Sequence, residues 1–242
     1  MYVLQSDFYQ ALSNLEEKAG PVAIGGVINP ESLIRFYALG IFPWNSERET
    51  LMWYSPDPRM VVKPIDVKIS KNLRKVIHNQ IFECKFDLDF ESVIDHCANV
   101  KRKEGNGTWI TKDIRKSFIE LHQRGLVHSV ETYRNENLVG GLYGLSLGRV
   151  FFGESMFHLE ADASKVAFYN LVNFLINNNF DLIDAQQETP YLASFGAKAI
   201  PRKSFLEILE PSVQKTTLIG NWGGNFEEIK MIEIINKENT NE

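Results

Sequence analysis

The 242-residue chain carries 44% apolar side chains and a formal net charge of −5. That is enough apolar material for one large core or two unequal domains, and an overall charge that taken alone argues against a nucleic-acid partner. No run approaches the ~20 apolar residues of a membrane span, and the first residues, MYVLQSDFYQ, lack the basic start and apolar core of a secretory signal. A cytoplasmic location is therefore expected. Cys84 and Cys97, with no metal-ligand spacing and no disulfide framework, read as small thiols in a reducing compartment.

In chain order, residues 6–18 pattern as an amphipathic helix with Phe8, Leu12 and Leu15 on one face. A second helix is signed by Asn29 as cap, Pro30 at the first position, Glu31 in the first turn and Gly40 at the end. The next stretch, GIFPWNSERETLMWYSPDPR from Gly40 to Arg59, crowds Phe42, Trp44, Trp53 and Tyr54 among three prolines. Aromatics this dense either seal a small domain or offer a platform to a flat ligand such as a base. A strand from Met60 leads through Pro64 into a helix capped by Ser70. The segment FECKFD alternates like a strand, and FESVIDHCANV behind Asp89 reads as a helix. After the polar loop KRKEGNG, Thr111 caps a helix that ends at Gly125. Strands HSVETYR, LVGGLYGLSLG and RVFFGESMF form a meander with turns at Asn135–Asn137 and Gly148. A long helix from about Asp162 to Asn178, the apolar strand DLIDAQ, a short helix and a helix from Pro201 complete the order.

These elements predict an α+β protein. A small N-terminal domain is expected over residues 1–78, a mixed sheet with flanking helices over 79–210, and a C-terminal tail over 211–242. Strand, two helices, three-stranded meander, helix, strand and helix is the order of the GNAT-like acyltransferase fold. An acyl-CoA enzyme of that kind needs a Gly-rich turn whose amides hold the pyrophosphate. Here the junction reads GESMFHLEADASK, which sets Glu154, Glu160 and Asp162 where phosphates would sit. The fold is thus expected with a different acyl donor.

Charge is unevenly distributed. Arg59, Lys63, Lys68, Lys71, Arg74 and Lys75 face only Asp66 in their segment, and Lys101 to Arg124 holds seven bases against three acids, whereas Phe205 onward holds seven acids against three bases. Phosphate binding follows the local field and not the sum. Asp184 stands in an apolar strand, which requires partners for its carboxylate. Gln186, two residues on, is expected on the same face, and Glu154 at the end of the third meander strand. Around them Leu142, Tyr143, Phe151, Phe152, Met156, Phe157, Phe168 and Ile183 can build an apolar pocket. Such a pocket beside acids suits an apolar side chain together with a cationic amine.

The segments AIGGVINPESLIRFYALGIFPW, LMWYSPDPR, GTWIT, HSVETY, LVGGLYGLSLGRVFFGESMF, ADASK, LIDAQ, LASFGA and IPRKSF together resemble the bacterial leucyl/phenylalanyl-tRNA-protein transferases over roughly residues 20–209. The resemblance implies transfer of Leu or Phe, with Met also admitted, from aminoacyl-tRNA to the α-amine of a protein beginning with Arg or Lys. The product is an N-degron. It implies no metal and no cofactor, no membrane, and a monomer. It assigns Asp184 and Gln186 as the catalytic pair, with Asp184 orienting the Gln186 amide and that amide's oxygen accepting from the attacking amine. Glu154 would hold the acceptor's basic N-terminal residue. Trp44 and Trp109 would meet the tRNA 3′ adenosine, and Leu142, Phe151, Phe168 and Ile183 would take the aminoacyl side chain. Arg59, Lys63, Lys71, Arg74, Lys75, Lys101, Arg102 and Lys103 would follow the tRNA backbone. The chain departs from the pattern at Tyr191, where many members have His, at Phe195 in place of Leu, and at Phe118 in place of Tyr. The alternatives are leucyl transfer to N-terminal Asp or Glu, an acetyl-CoA-dependent enzyme, and a non-catalytic binder of charged tRNA.

Overall fold

The three-stranded meander is the centre of a seven-stranded sheet in the computed structural model, which describes residues 20–44, 50–99 and 108–230. Strands β6 (Val127–Arg134) and β7 (Asn137–Leu147) join through Asn135 and Glu136, both at positive φ, and β7 joins β8 (Val150–His158) through Gly148 at φ 56°. These two-residue turns match the twist of the strands they connect. In chain order the preceding strands are β1 (Pro21–Ile24), β2 (Phe42–Pro43), β3 (Met52–Tyr54), β4 (Arg59–Val62) and β5 (Glu83–Phe86), and the later ones are β9 (Leu182–Gln186) and β10 (Lys198–Ile200). The large sheet runs β10-β4-β9-β8-β7-β6-β5, antiparallel throughout except for the parallel pair β8 and β9.

Alternation along the strands feeds two cores. On one face, α1 (Pro30–Ala38), α3 (Phe90–Asn99), α4 (Lys112–Gln123) and α7 (Arg202–Val213) pack over Tyr143, Leu145, Phe152 and Leu182. On the other, α2 (Lys71–His78), α5 (Ala163–Asn177) and the short α6 (Pro190–Ser194) lie near Leu142, Phe151 and Ile183. The expected caps are made: Asn29 and Ser32 form a capping box, Ser70 accepts from the Leu73 amide at 3.2 Å, and Thr111 accepts from the Ile114 amide at 3.3 Å. Each satisfies a donor that a helix start leaves open.

Two expected boundaries move. Strand β4 lies between β10 and β9, so the segment from Arg59 belongs to the large sheet, and the N-terminal unit is α1 with the small sheet β1-β3-β2. Residues 211–230 are not a tail either. Helix α7 runs to Val213, and the hairpin of β11 (Thr216–Gly220) and β12 (Phe226–Lys230) brings buried Trp222 flat against His128, with ring centroids 3.6 Å apart. The Trp222 amide donates to Asp87 at 2.7 Å, and Asp87 also meets Nδ1 of His128 at 2.9 Å. The sequence assigns no element to this polar hairpin because its buried anchor is a single tryptophan, Trp222. The helix expected over residues 6–18, the Lys101–Lys103 segment and everything beyond residue 230 lie outside the described residues.

The aromatic run divides its work. Trp53 is 1% exposed, stacks on Phe36 at 4.1 Å and donates its indole N–H to the Gly25 carbonyl, whereas Trp44 is 44% exposed. We expect Trp53→Ala to lose about 3 to 5 kcal/mol in chemical denaturation, while Trp44→Ala stays within about 0.5 kcal/mol of the parent.

Candidate active site

The parallel strands β8 and β9 pair only at Val150 with Leu182, Phe151 with Ile183 and Phe152 with Asp184. Beyond that point β8 stays with β7 and β9 with β4, so the sheet opens. Both strands carry an extra residue at the opening. Tyr143 pairs with Ser155 and Gly144 with Gly153, which leaves Glu154 unmatched; Val61 pairs with Asp184 and Met60 with Gln186, which leaves Ala185 unmatched. A bulge of this kind re-aims the side chains around it. The expectation that Asp184 and Gln186 share a face therefore fails: Met60 and Val61 are neighbours on opposite faces, so their partners are too. Asp184 turns toward the α1 and α7 side, and Gln186 turns into the opening.

A cavity of about 390 Å³ fills that opening. Glu154 and Gln186 sit in its wall, with the Gln186 amide donating from Nε2 to Oε1 of Glu154 at 2.8 Å. Gln186 adopts φ 62°, in the left-handed region, and its backbone N–H donates to Oδ1 of Asp184 at 2.9 Å. Asp184 thus positions Gln186 through the main chain, and the side-chain amide is oriented by Glu154 and not by Asp184 as expected. Asp184 is fully buried, and both its oxygens are held by Arg59, Nε to Oδ1 at 2.8 Å and Nη2 to Oδ2 at 2.6 Å. The same guanidinium donates to the Gly40 carbonyl at 3.1 Å and lies between the Phe42 and Phe205 rings, 4.8 and 4.6 Å from their centroids. Gly40 itself is at φ 77°, and a Cβ there would come within 2.8 Å of Phe205. Arg59, 1% exposed, is consequently not a phosphate contact. Lys63, Lys71, Arg74 and Lys75 do remain exposed around the start of α2.

Burial is the main cause that pushes the Glu154 carboxyl up to about 8, with the Asp184 charge adding to it; hydrogen bonds from Tyr37 and Gln186 and the Arg59 charge oppose the rise. Near neutral pH Glu154 therefore holds a proton. The Tyr37 phenol, delivered by α1 and buried, is raised well above its ordinary value by that burial and by Glu154, so it stays neutral.

Trp44 and Trp109 line the cavity, as do Leu142, Phe151, Phe168 and Ile183 together with Met156, Leu171, Tyr191 and Leu192. All four residues expected for a side-chain pocket, and both tryptophans, thus come together beside Glu154 and Gln186. Sequence reasoning missed Tyr37, Phe42 and Gln187. Tyr37 sits on the apolar stripe of α1, where an aromatic reads as core; its hydroxyl was the one available signal, since a buried phenol needs a partner.

The family model described as leucyl/phenylalanyl-tRNA protein transferase matches residues 61–210, and the model of its N-terminal domain matches residues 26–57. The chain belongs to the leucyl/phenylalanyl-tRNA protein transferase family. A relative of that name from Azoarcus sp. (strain BH72) is 46% identical over 210 residues, covering 87% of this chain and 89% of its own length. Another from Myxococcus xanthus (strain DK1622) is 46% identical over 206 residues, with 85% and 88% covered. A third from Desulfatibacillum aliphaticivorans is 44% identical over 209 residues, with 86% and 90% covered. As a member of that family the chain is an aminoacyltransferase, and Arg59, which falls between the two matched regions, bonds Gly40 of one and Asp184 of the other. No helix among the described residues is long and apolar enough to cross a membrane.

The ion pair of this transferase can be tested apart from its chemistry. Arg59→Met strands a buried carboxylate and should cost about 3 to 5 kcal/mol in denaturant titrations. The double variant Arg59→Met/Asp184→Leu should regain much of that stability, yet transfer should stay low because the Gln186 backbone N–H then has no carboxylate to fix it.

Proposed function

We propose that the protein moves Leu or Phe, and by shape also Met, from aminoacyl-tRNA to the N-terminal Arg or Lys of an acceptor protein, with the peptide bond forming where Glu154 and Gln186 meet the cavity. The observation that carries this reading is the hydrogen-bonded Glu154–Gln186 pair set between an apolar cavity and two tryptophans. The order β5, α3, α4, the meander, α5 and β9 supports a GNAT-like core. At the start of α5, where an acyl-CoA enzyme would hold pyrophosphate, this chain carries Glu160 paired to Arg134 and Asp162 paired to Lys165. Acids there favour aminoacyl-tRNA over CoA.

In this reading the 3′ adenosine stacks at Trp44 and Trp109, and stacking of this kind is worth about 1 to 3 kcal/mol per base. The donor's side chain enters between Leu142, Phe151, Phe168 and Ile183. One methylene in such a pocket changes affinity by only about 1 to 3 kcal/mol, which lets Leu, Phe and Met share it. The acceptor's α-amine, in its free-base form, donates a hydrogen bond to the Gln186 amide oxygen and attacks the ester carbonyl. The C–N bond forms, the ester C–O bond to ribose breaks, and the amine's proton ends on the ribose oxygen. An aminoacyl ester is already activated, so alignment supplies the acceleration, about 7 to 11 kcal/mol in the best cases. The reaction asks for no metal, nucleotide or covalent intermediate. Lys63, Lys71, Arg74 and Lys75, with Lys101, Arg102 and Lys103, supply the positive path for the acceptor stem. The working form is a cytoplasmic monomer.

Glu154 gives the acceptor site its sign. An Arg or Lys side chain beside it favours the carboxylate, and a proton bound below about pH 8 is then expelled. Calorimetry at pH 7 in buffers of different ionisation enthalpy should register about one proton more released by the parent than by Glu154→Gln on binding an Arg-initiated peptide, the α-amine's own proton being common to both. That difference should fade as pH rises past 8. The reaction itself is tested by offering labelled Leu-tRNA, Phe-tRNA or acetyl-CoA to proteins beginning with Arg, Lys, Asp or Glu. Transfer to Asp or Glu alone, or from acetyl-CoA alone, would overturn the proposal, as would binding of charged tRNA without transfer. Use of charged tRNA should also weaken steeply with added salt, and a flat response would remove the lysines and Arg74 from the tRNA path.

A further inference from the structure

One part of the cavity wall is backed by a second layer of rings. Phe168 of α5 and Tyr191 of α6 line it, and Phe195, 4% exposed, stands behind them without lining the cavity. Phe195 meets Phe168 edge-on, with centroids 4.9 Å apart at 65°, and meets Tyr191 at 5.3 Å and 70°. Its backbone is tied down: the Phe195 carbonyl accepts from the Lys68 amide at 2.8 Å, and its own N–H donates to the Leu192 carbonyl at 3.0 Å. The next residue, Gly196, turns at φ 92° against the Asp66 carbonyl. Ser164, at the start of α5, lies beside the buried Tyr191 hydroxyl. The two lining rings are therefore held from behind by a third ring that is itself fixed to the segment 66–68.

We propose that Phe195 is a specificity-determining residue for the donor, setting the size of the aminoacyl pocket by holding Phe168 and Tyr191 forward. This rests on the reading of the cavity as the donor side-chain site. Protein interiors are close-packed, so a ring removed from a second layer leaves space that the first layer only partly refills. The pocket then enlarges behind Phe168 and Tyr191. A Phe side chain is larger than Leu, so enlargement favours Phe. Phe195 does not line the cavity, whereas Glu154 and Gln186 do, so it touches neither donor, acceptor nor the reacting atoms. The effect should therefore appear in KM for the donor far more than in kcat.

The test is a competition between Leu-tRNA and Phe-tRNA at equal concentration, with a protein beginning with Arg as acceptor and the full chain as enzyme. The readout is the ratio of kcat/KM values, which does not depend on the fraction of enzyme that is folded. Phe195→Ala should raise the Phe-to-Leu ratio roughly tenfold, at the low end of the roughly 10 to 200-fold that one methylene commands in such pockets, and Phe195→Leu should raise it by a smaller factor, roughly threefold. Phe168→Ala serves as the comparison for the pocket itself. If Phe168→Ala changes the ratio and neither Phe195 variant does, the second-layer proposal is wrong and the pocket stands. If none of the three changes the ratio, the cavity is not the donor site and both readings fall. If Phe195→Ala does not fold, Phe195→Leu alone decides by the same criterion.

Discussion

A guanidinium and a carboxylate each lose several kcal/mol of hydration when they leave water, and they repay it only through near-ideal geometry. Arg59 and Asp184 meet that condition, with two short hydrogen bonds and the guanidinium held between Phe42 and Phe205. The consequences spread outward in three directions. A third guanidinium donor, on Nη1, fixes the Gly40 carbonyl and with it the turn into the aromatic run. The remaining capacity of Asp184 fixes the left-handed backbone of Gln186. The charge of the pair also reaches Glu154, where Asp184 and Arg59 pull in opposite directions. One desolvated contact thus ties the N-terminal unit, the central sheet and the site together.

The electrostatics of the cavity follow from that arrangement. A second carboxyl next to a buried ion pair has little solvent to stabilise its charge, so Glu154 keeps a proton until a cation arrives. Under the proposed function, such a site is neutral when empty and anionic beside a basic acceptor residue, and an acidic acceptor would receive no such compensation.

Much of the fold was legible in the chain because it rests on local rules. Asn29–Pro30, Ser70 and Thr111 mark helix starts, and Asn135–Asn137 and Gly148 mark the meander turns. The pocket residues were legible too, since apolar side chains from strands and a helix flanking Glu154 converge in any packing of those elements. What escaped depends on pairing between distant segments. A period-two reading placed Asp184 and Gln186 on one face, because an unmatched Ala185 exists only relative to β4. Arg59 stood in a run of bases and read as one more surface charge, although an acid in an apolar strand demanded a partner of its kind. Strands β2, β3 and β10, at two or three residues each, are shorter than any alternation can reveal.

The unmatched position of Glu154 has one more consequence. On either side of it every residue of β8 keeps the face its partner on β7 assigns, Phe152 and Ser155 with Leu145 and Tyr143, Met156 with Leu142. The carboxyl is therefore carried by a residue that the ladder does not use. Side-chain alternation makes an ordinary one-residue insertion ruinous, since it inverts the strand beyond it, but a bulge absorbs the extra residue locally. A scaffold of this type can acquire or surrender an acid by a single codon and leave its core pattern unread.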